Sequence, residues 1–308
     1  MQMFGLQALT PASNLLPMFE TDRGQTMTTL FTDLQQFSYW RGEILKHESI
    51  GFVPTMGALH QGHVSLMQRA RRECDRVVVS IYVNSLQFNS ANDFTNYPRT
   101  AEADFELCKS ADVDVVLSPF KSDMFPRDAV DLIAPSQDAQ DFEGSDRPGH
   151  FSGVVTVVDR LFSLVQPSIA YFGLKDYQQV AVISKMSEHL HPHIDIRPCE
   201  TMREADGLAM SSRNRLLSPS ARTSAARIPL ALLHAISCWQ DGNTSSIAAI
   251  DAARSVLECD STIEIQYVSV VAAGTMNIVD TIKAQDVIIV AVVIDGIRLI
   301  DNMKFFTA

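Results

Sequence analysis

The chain has 308 residues, 46% apolar and 20% charged, which describes an ordinary globular protein and, by its length, two domains. Its net charge of -11 argues against non-specific nucleic-acid binding, which needs a basic surface, and leaves room for a local basic pocket. Five cysteines with no CxxC pair point to neither a zinc knuckle nor a disulfide framework and fit a reducing cytosol; the longest apolar run, 287–294, is far short of the roughly 20 residues that span a bilayer.

Residues 1–26 carry no basic stretch and no continuous apolar run, so they read as a disordered extension and not as a signal peptide. Residues 27–46 place Leu30, Leu34, Phe37, Trp40 and Ile44 at helical spacing and predict a helix. Residues 49–53 predict a buried strand, and the spacing of Leu66, Ala70 and Cys74 predicts a helix from Gly62 to near Asp75. The β-branched run 76–83 predicts a second strand, completing a βαβ unit with a right-handed crossover. Residues 84–100 are polar and loop-like. A helix is predicted over 101–110, a strand over 113–117 and a long irregular stretch over 121–149. Then follow a helix over 152–165, a strand over 168–172, a helix over 176–190 and a strand over 193–196. This alternation predicts an α/β, Rossmann-like doubly wound parallel sheet over 27–201. Beyond it, helices over 220–240 and 245–259 and strands over 264–271, 286–294 and 297–300 predict a smaller α+β unit over 202–308.

Chemistry concentrates in a few loops. Pro54-Thr55-Met56-Gly57-Ala58-Leu59-His60-Gln61-Gly62-His63 joins a strand to a helix, where backbone N–H groups and the helix dipole favour an anion. His60 and His63 offer donors to charge developing on phosphorus, and Gly62 carries no side chain to block a phosphate. No GxxxxGK[ST] and no GxGxxG occurs, so neither a P-loop nor a nicotinamide fingerprint competes. Asn84 and Gln87 follow the second strand and suit hydroxyl and carboxylate groups; Arg99 holds an anion or fixes its loop. Arg147, with His150 nearby, is a bidentate binder of carboxylate or phosphate, or an exposed ion-paired arginine. Lys175 directly follows a strand and can reach a phosphate; Asp176 is placed to cap the next helix, with Gln179 on the same side. Met210, Ser211, Ser212 and Arg213 form a phosphate clamp from the second unit, able to close as a lid. Lys185 lies mid-helix in an apolar run, and His189, His191 and His193 read as a solvated helix end without metal spacing.

Five blocks together, 54–66, 82–99, 142–161, 171–179 and 203–218, resemble the pantothenate synthetase (pantoate–β-alanine ligase) family within the HIGH-motif nucleotidyltransferase superfamily, over residues 27–308. The resemblance implies ATP-dependent condensation of pantoate with β-alanine through a pantoyl adenylate, with magnesium accompanying ATP, in a cytoplasmic homodimer. It implies that His60, His63, Lys175, Ser211, Ser212 and Arg213 are catalytic. It places Pro54, Thr55, Met56, Gly62, Gly173, Asp176, Met202 and Met210 with them at ATP. Met56, Gln87 and Gln179 would hold pantoate, and Asn84, Arg147 and His150 would orient the acyl substrate or β-alanine. The sequence departs from the family at Ser85, where proline is usual, at Leu174, where glutamate is usual, and at Asn92, where an acid is usual. Asp104 is noted for magnesium without an assigned role. The alternatives are a nucleotidyltransferase of the same superfold, which leaves AMP on its product, and a catalytically inactive nucleotide-binding protein.

Overall fold

Short runs of β-branched and aromatic residues pair side by side in one parallel sheet. The computed structural model describes residues 27–44, 47–126 and 130–306; the extension expected over 1–26 lies outside the described residues. In chain order the elements are β1 (Thr29–Phe31), α1 (Leu34–Glu43), β2 (Ile50–Thr55), α2 (Gln61–Glu73), β3 (Arg76–Ile81), α3 (Ala91–Asn96), α4 (Ala101–Ser110), β4 (Val115–Leu117) and α5 (Lys121–Met124). They continue as α6 (Glu143–Asp146), α7 (His150–Val165), β5 (Ile169–Gly173), α8 (Tyr177–Leu190), β6 (Asp195–Cys199), α9 (Pro219–Ala225), α10 (Arg227–Gln240), α11 (Ser246–Leu257), β7 (Ile263–Val271), β8 (Val287–Ile294) and β9 (Ile297–Lys304).

The first sheet runs β1-β4-β3-β2-β5-β6 with every pairing parallel. From β2 the chain winds one way to β3 and β4, and from β5 the other way to β6. The carboxyl ends of β2 and β5 therefore flank a topological switch point, where open α/β sheets bind ligands. Phe52, Val158, Phe162 and Ile183 fill the core on the α7 and α8 face, while Val53, Met67, Ala70 and Cys108 fill the α2 and α4 face. The second sheet is an antiparallel meander, β7-β8-β9. β8 is buried on both faces and so reads as one apolar run. Its Ile288, Val290 and Val292 pack with Ile228 and Leu232 of α10. Val287 and Ile289, with Val271 and Met276, join the core of the parallel sheet instead.

Several expectations need correction. Residues 27–46 are not one helix. Thr29–Phe31 pairs with β4, and Asp33 starts the helix by accepting from the Gln35 and Gln36 N–H groups at 2.7 and 3.0 Å. Leu30 consequently sits half exposed on an edge strand, while Phe37 and Trp40 are buried as expected. Within 84–100, the Asn84 and Ser90 side chains cap a 3-10 turn (Ser85–Gln87) and α3. The stretch 121–149 likewise holds α5, α6 and a 3-10 turn over Gln137–Ala139. The helix expected over 220–240 is broken at Ala226, because Pro229 has no N–H for the Ala225 carbonyl and its ring crowds that group.

Gly153 lets α7 press against the turn that carries Gln87. A Cβ there would meet the Leu86 carbonyl oxygen at 2.3 Å and the Gln87 nitrogen at 2.7 Å. Gly153→Ala should therefore destabilise the fold by about 1–3 kcal/mol in urea titration. Gly42→Ala, with nothing within 4 Å of its Cβ, should cost nothing. Equal midpoints for the two variants would show that the turn does not depend on this approach.

Candidate active site

The site begins where β2 ends. Thr55 Oγ1 donates to the Ser80 carbonyl at 2.7 Å and accepts from the Gly57 N–H at 3.2 Å, which turns the chain out of the sheet. Gly57 and Ala58 then lie in the left-handed region, at φ 80° and 51°. Such a turn points its N–H groups inward and needs acceptors there. Asp104 of α4 supplies both, taking the Ala58 N–H at 2.9 Å and the Leu59 N–H at 2.8 Å, with Thr100 Oγ1 donating at 3.0 Å. Asp104 is buried, and its carboxylate is occupied by the turn.

His60 is the N-cap of α2. Its Nδ1 accepts from the Gly62 N–H at 3.1 Å, and His63 Nδ1 accepts from the His60 N–H at 3.3 Å. The helix start therefore spends these N–H groups internally, and the imidazoles themselves face the cleft. Because each Nδ1 accepts, each proton sits on Nε2 as a donor. The ring centroids are 4.1 Å apart. Burial, then the charges of Lys175 and Arg215, push His60 down to about 4. Burial, then His60, push His63 down to about 3. Gly62 serves a purpose other than the one expected. A Cβ there would sit 2.8 Å from His60 Cε1, so its bareness lets the ring fold over the helix end.

Across the switch point, Lys175 follows β5, its Nζ 3.5 Å from Asp176 Oδ1. Asp176 stands at the N-cap of α8 but its side chain makes no cap hydrogen bond, contrary to expectation. Burial raises its pKa, yet Lys175 and Arg213 together hold it below the usual carboxylate range. Asn84 is spent inside the protein: its amide donates to Gln87 Oε1 and to the Gly153 carbonyl, both at 3.0 Å. That fixes Gln87 with its NH2 outward, 3.1 Å from Met56 Sδ. His150 Nδ1 donates to the Gln87 carbonyl at 2.8 Å, and Arg147 donates to His150 Nε2 at 3.2 Å. Burial and the neighbouring Arg147 push His150 down to about 4.

The segment from the second unit docks on this turn. Ser212 Oγ donates to the Ala58 carbonyl at 2.9 Å, and Arg215 donates to the Leu59 carbonyl at 3.1 Å. Ser211 Oγ accepts from the Arg213 N–H at 3.3 Å, and Arg213 lies 3.3 Å from Asp93. Every residue expected at the site, from Pro54 through Arg213, lines one cleft of about 240 Å³. Sequence reasoning missed Tyr82, Tyr97 and the Val154, Val157 and Leu161 face of α7, which also line it. A helical apolar stripe signals burial but not that part of it borders a cavity. It also missed Arg215, two residues beyond Arg213 in the same block.

Other candidates fall elsewhere. Arg99 donates to the Phe94, Thr95 and Tyr97 carbonyls and fixes its loop. Lys185 pairs with Glu188 at 2.9 Å, outside the cleft. His191 is buried 2.8 Å from Asp159, a correction to the expected solvated helix end.

The profile of the family described as Pantoate-beta-alanine ligase matches residues 27–304. A pantothenate synthetase of Sulfurihydrogenibium sp. is 43% identical over 259 residues, covering 84% of this chain and 92% of that protein. The crystal structure of pantothenate synthetase from Thermus thermophilus matches with a TM-score of 0.85 and 39% identity, covering 90% of this chain and 99% of that one. That of a pantoate-beta-alanine ligase from Francisella tularensis, complexed with beta-gamma ATP and beta-alanine, matches at TM-score 0.77 and 34% identity, covering 92% and 99%. The chain spans about half the length of the bifunctional pantoate ligase/cytidylate kinases it also matches, 52% of one from Synechococcus sp..

The histidine geometry has a measurable consequence. Imidazole 1H–15N spectra near pH 6, about half a unit below the ordinary histidine value, should show His60 and His63 neutral and protonated on Nε2. Their folded pKa values lie below the ordinary 6.5, so the unfolded chain binds more protons as pH falls. Their stabilisation is complete above 6.5 and is lost progressively toward about 4 for His60 and about 3 for His63. His63→Asn should flatten that slope in pH-dependent urea unfolding. A charged imidazolium at His60 near pH 6 would contradict the assignment.

Proposed function

The chain belongs to the pantoate-beta-alanine ligase family, and from that premise we propose that it joins pantoate to β-alanine at the expense of ATP, through a pantoyl adenylate. The observation that carries this reading is one cleft at the switch point holding two neutral imidazole donors, a lysine and the Gln87 and Gln179 amides.

In the first step the pantoate carboxylate attacks the α-phosphorus of ATP and pyrophosphate leaves. A carboxylic acid, with an unperturbed pKa of about 4, is already ionised at neutral pH, so this step needs alignment and charge stabilisation and no base. His60 and His63 donate from Nε2, and Lys175 supplies the cation from the opposite strand. Ser211 and Arg213 border the same phosphates, and Ser212 holds its loop on the Ala58 carbonyl. Pro54, Thr55, Gly62, Gly173, Asp176, Met202 and Met210 frame the nucleotide. The Gln87 NH2, fixed outward, and Gln179 take pantoate oxygens, with Met56 against its apolar body. Arg147 and His150 back Gln87 and orient the acyl end.

In the second step the β-alanine amine attacks the acyl carbon and AMP leaves with the carboxyl oxygen's phosphate bond intact. The amine must first lose a proton. His60 and His63 each have Nδ1 occupied by an N–H, and His150 Nε2 accepts from Arg147. None has a free basic nitrogen, so deprotonation falls to solvent.

Magnesium would accompany ATP. Among the described residues no group of three or more His, Cys, Asp or Glu side chains gathers to hold a metal. Of the carboxylates that line the cleft, Asp176 is paired with Lys175 and Glu200 with Lys304. These residues do not form a protein cage for the ion. The same reading takes residues 27–201 as the nucleotide and pantoate unit and 202–308 as the part that closes on it, in a homodimer. Five free cysteines fit a cytosolic setting, and no helix among the described residues is long and apolar enough to cross a membrane.

Sustained AMP release should require pantoate, β-alanine and ATP together. A stable adenylylated product without free AMP would favour a nucleotidyltransferase, and ATP binding without turnover an inactive protein. His60→Ala should raise the first barrier by about 2.7–4 kcal/mol, the usual cost of losing one charge-stabilising donor. An unchanged rate would remove it from the site. For the second step, kcat/KM for β-alanine should climb with pH toward the ordinary amine range of about 10. A plateau near pH 7, well below that range, would indicate an enzymic base.

A further inference from the structure

We propose that Asn302, on β9 of the small sheet, is a positioning residue for Lys175. The turn that carries Lys175 is a 3-10 segment, Leu174–Asp176, between β5 and α8. Neither end of it has a side-chain cap: Gly173 has no side chain to offer, and Asp176 turns toward Lys175 without bonding the helix start. A lysine on such a turn is held only as well as the turn itself is held from outside.

Asn302 supplies that hold. Its side-chain amide donates to two successive carbonyls, Leu174 at 2.7 Å and Lys175 at 3.0 Å. One NH2 group thus clamps both peptide units that set the origin of the lysine side chain. Asn302 is buried, and its own backbone is fixed. Its N–H donates to Asp301 Oδ1 at 2.7 Å, and its carbonyl accepts from Arg203 Nη2 at 3.0 Å. Arg203 in turn grips Asp301 with both nitrogens, at 2.7 and 3.0 Å, and reaches the Gly207 carbonyl at 3.0 Å. Arg203 bridges Ala209 in antiparallel fashion, and their neighbours Met202 and Met210 line the cleft. One polar network therefore links the backbone of Lys175 to the segment that leads into Ser211, Ser212 and Arg213. Arg203 is a structural strut between the two walls of the cleft.

This inference rests on Lys175 acting at the phosphates, so its test separates the two ideas. The measurement is pantoate-dependent ATP–pyrophosphate exchange by the full chain at saturating substrates, with KM for ATP and melting temperature alongside. The variants are Lys175→Ala, Asn302→Ala, Asn302→Asp, Asn302→Ser and the Lys175→Ala/Asn302→Ala double variant. Asn302→Asp keeps the shape but turns a carboxylate oxygen toward the two carbonyls. Asn302→Ser keeps a single donor. Asn302→Ala and Asn302→Asp should lower the exchange rate by up to on the order of 100-fold, the cost of misplacing a group by about an ångström. Asn302→Ser should lie between them and the parent. On a Lys175→Ala background the Asn302→Ala change should cost less than about twofold, since the two act through one side chain.

Parent-like exchange in Asn302→Asp, or an Asn302→Ala loss undiminished on the Lys175→Ala background, would overturn the proposal. A fall in melting temperature with proportionate loss of activity in both backgrounds would reduce Asn302 to a structural role and overturn it equally. Parent-like exchange in Lys175→Ala would instead overturn the reading of Lys175.

Discussion

The cleft depends on one buried carboxylate. Asp104 takes the N–H groups of Ala58 and Leu59, while Ser212 and Arg215 donate to the carbonyls of the same two residues. The backbone groups of both residues are thereby satisfied, their donors by α4 and their acceptors by the second unit. This matters because Ala58 is a non-glycine residue in the left-handed region, a conformation that costs on the order of 1 kcal/mol or more. Four hydrogen bonds, each contributing about 0.5–1.5 kcal/mol net and more where charged, comfortably offset it. The turn in turn fixes where α2 begins, and with it the direction of both imidazoles.

Those imidazoles show why burial is useful here. An exposed histidine near neutral pH is a mixture of charged and uncharged forms. In this cleft desolvation comes first, and neighbouring cations add to it, so that His60, His63 and His150 stay neutral. At His60 and His63, where Nδ1 accepts a backbone N–H, a neutral ring can only donate from Nε2. On the proposed function, such a ring would stabilise growing negative charge without bringing the extra proton of an imidazolium. The positive charge of the cleft is left to Lys175 and the arginines.

Much of this was legible in the sequence. The βα alternation gave the parallel sheet, because strands buried on both faces are written as continuous apolar runs. The candidate site residues were legible because they sit in loops at strand ends, close to glycine and proline punctuation. What was hidden has a common cause. Asp104 reads as one more acid on an ordinary helix; its value comes from a turn far away in sequence. Asn302 reads as a residue past the end of an apolar strand, and its two acceptors lie on the turn that follows β5 of the other sheet. Asn84 looked like a substrate ligand because an exposed amide and a buried one have the same letter. Thr29–Phe31 reads as part of a helix because three strand residues are too few to interrupt a helical pattern, and only pairing with β4 decides it. Local pattern fixes elements; long-range hydrogen bonding decides which polar side chains face the ligand and which face the protein.

The same contacts limit how the second unit can move. Val271, Met276, Val287 and Ile289 are buried in the core of the parallel sheet. Swinging the whole small sheet away would expose these four, at about 1.5–3 kcal/mol for each side chain. It would also break the Asn302 clamp on the Lys175 turn. Releasing only the loop that carries Ser212 and Arg213 loses a few buried or half-buried hydrogen bonds, at about 0.5–1.5 kcal/mol each. The cheaper opening is therefore local, with residues 211–215 lifting from the Ala58–Leu59 carbonyls while the small sheet stays seated. That division has a chemical advantage. On the proposed function, Lys175 is held by the part that stays, so its place at a phosphate would survive such an opening, and only residues 211–215 would need to be reset.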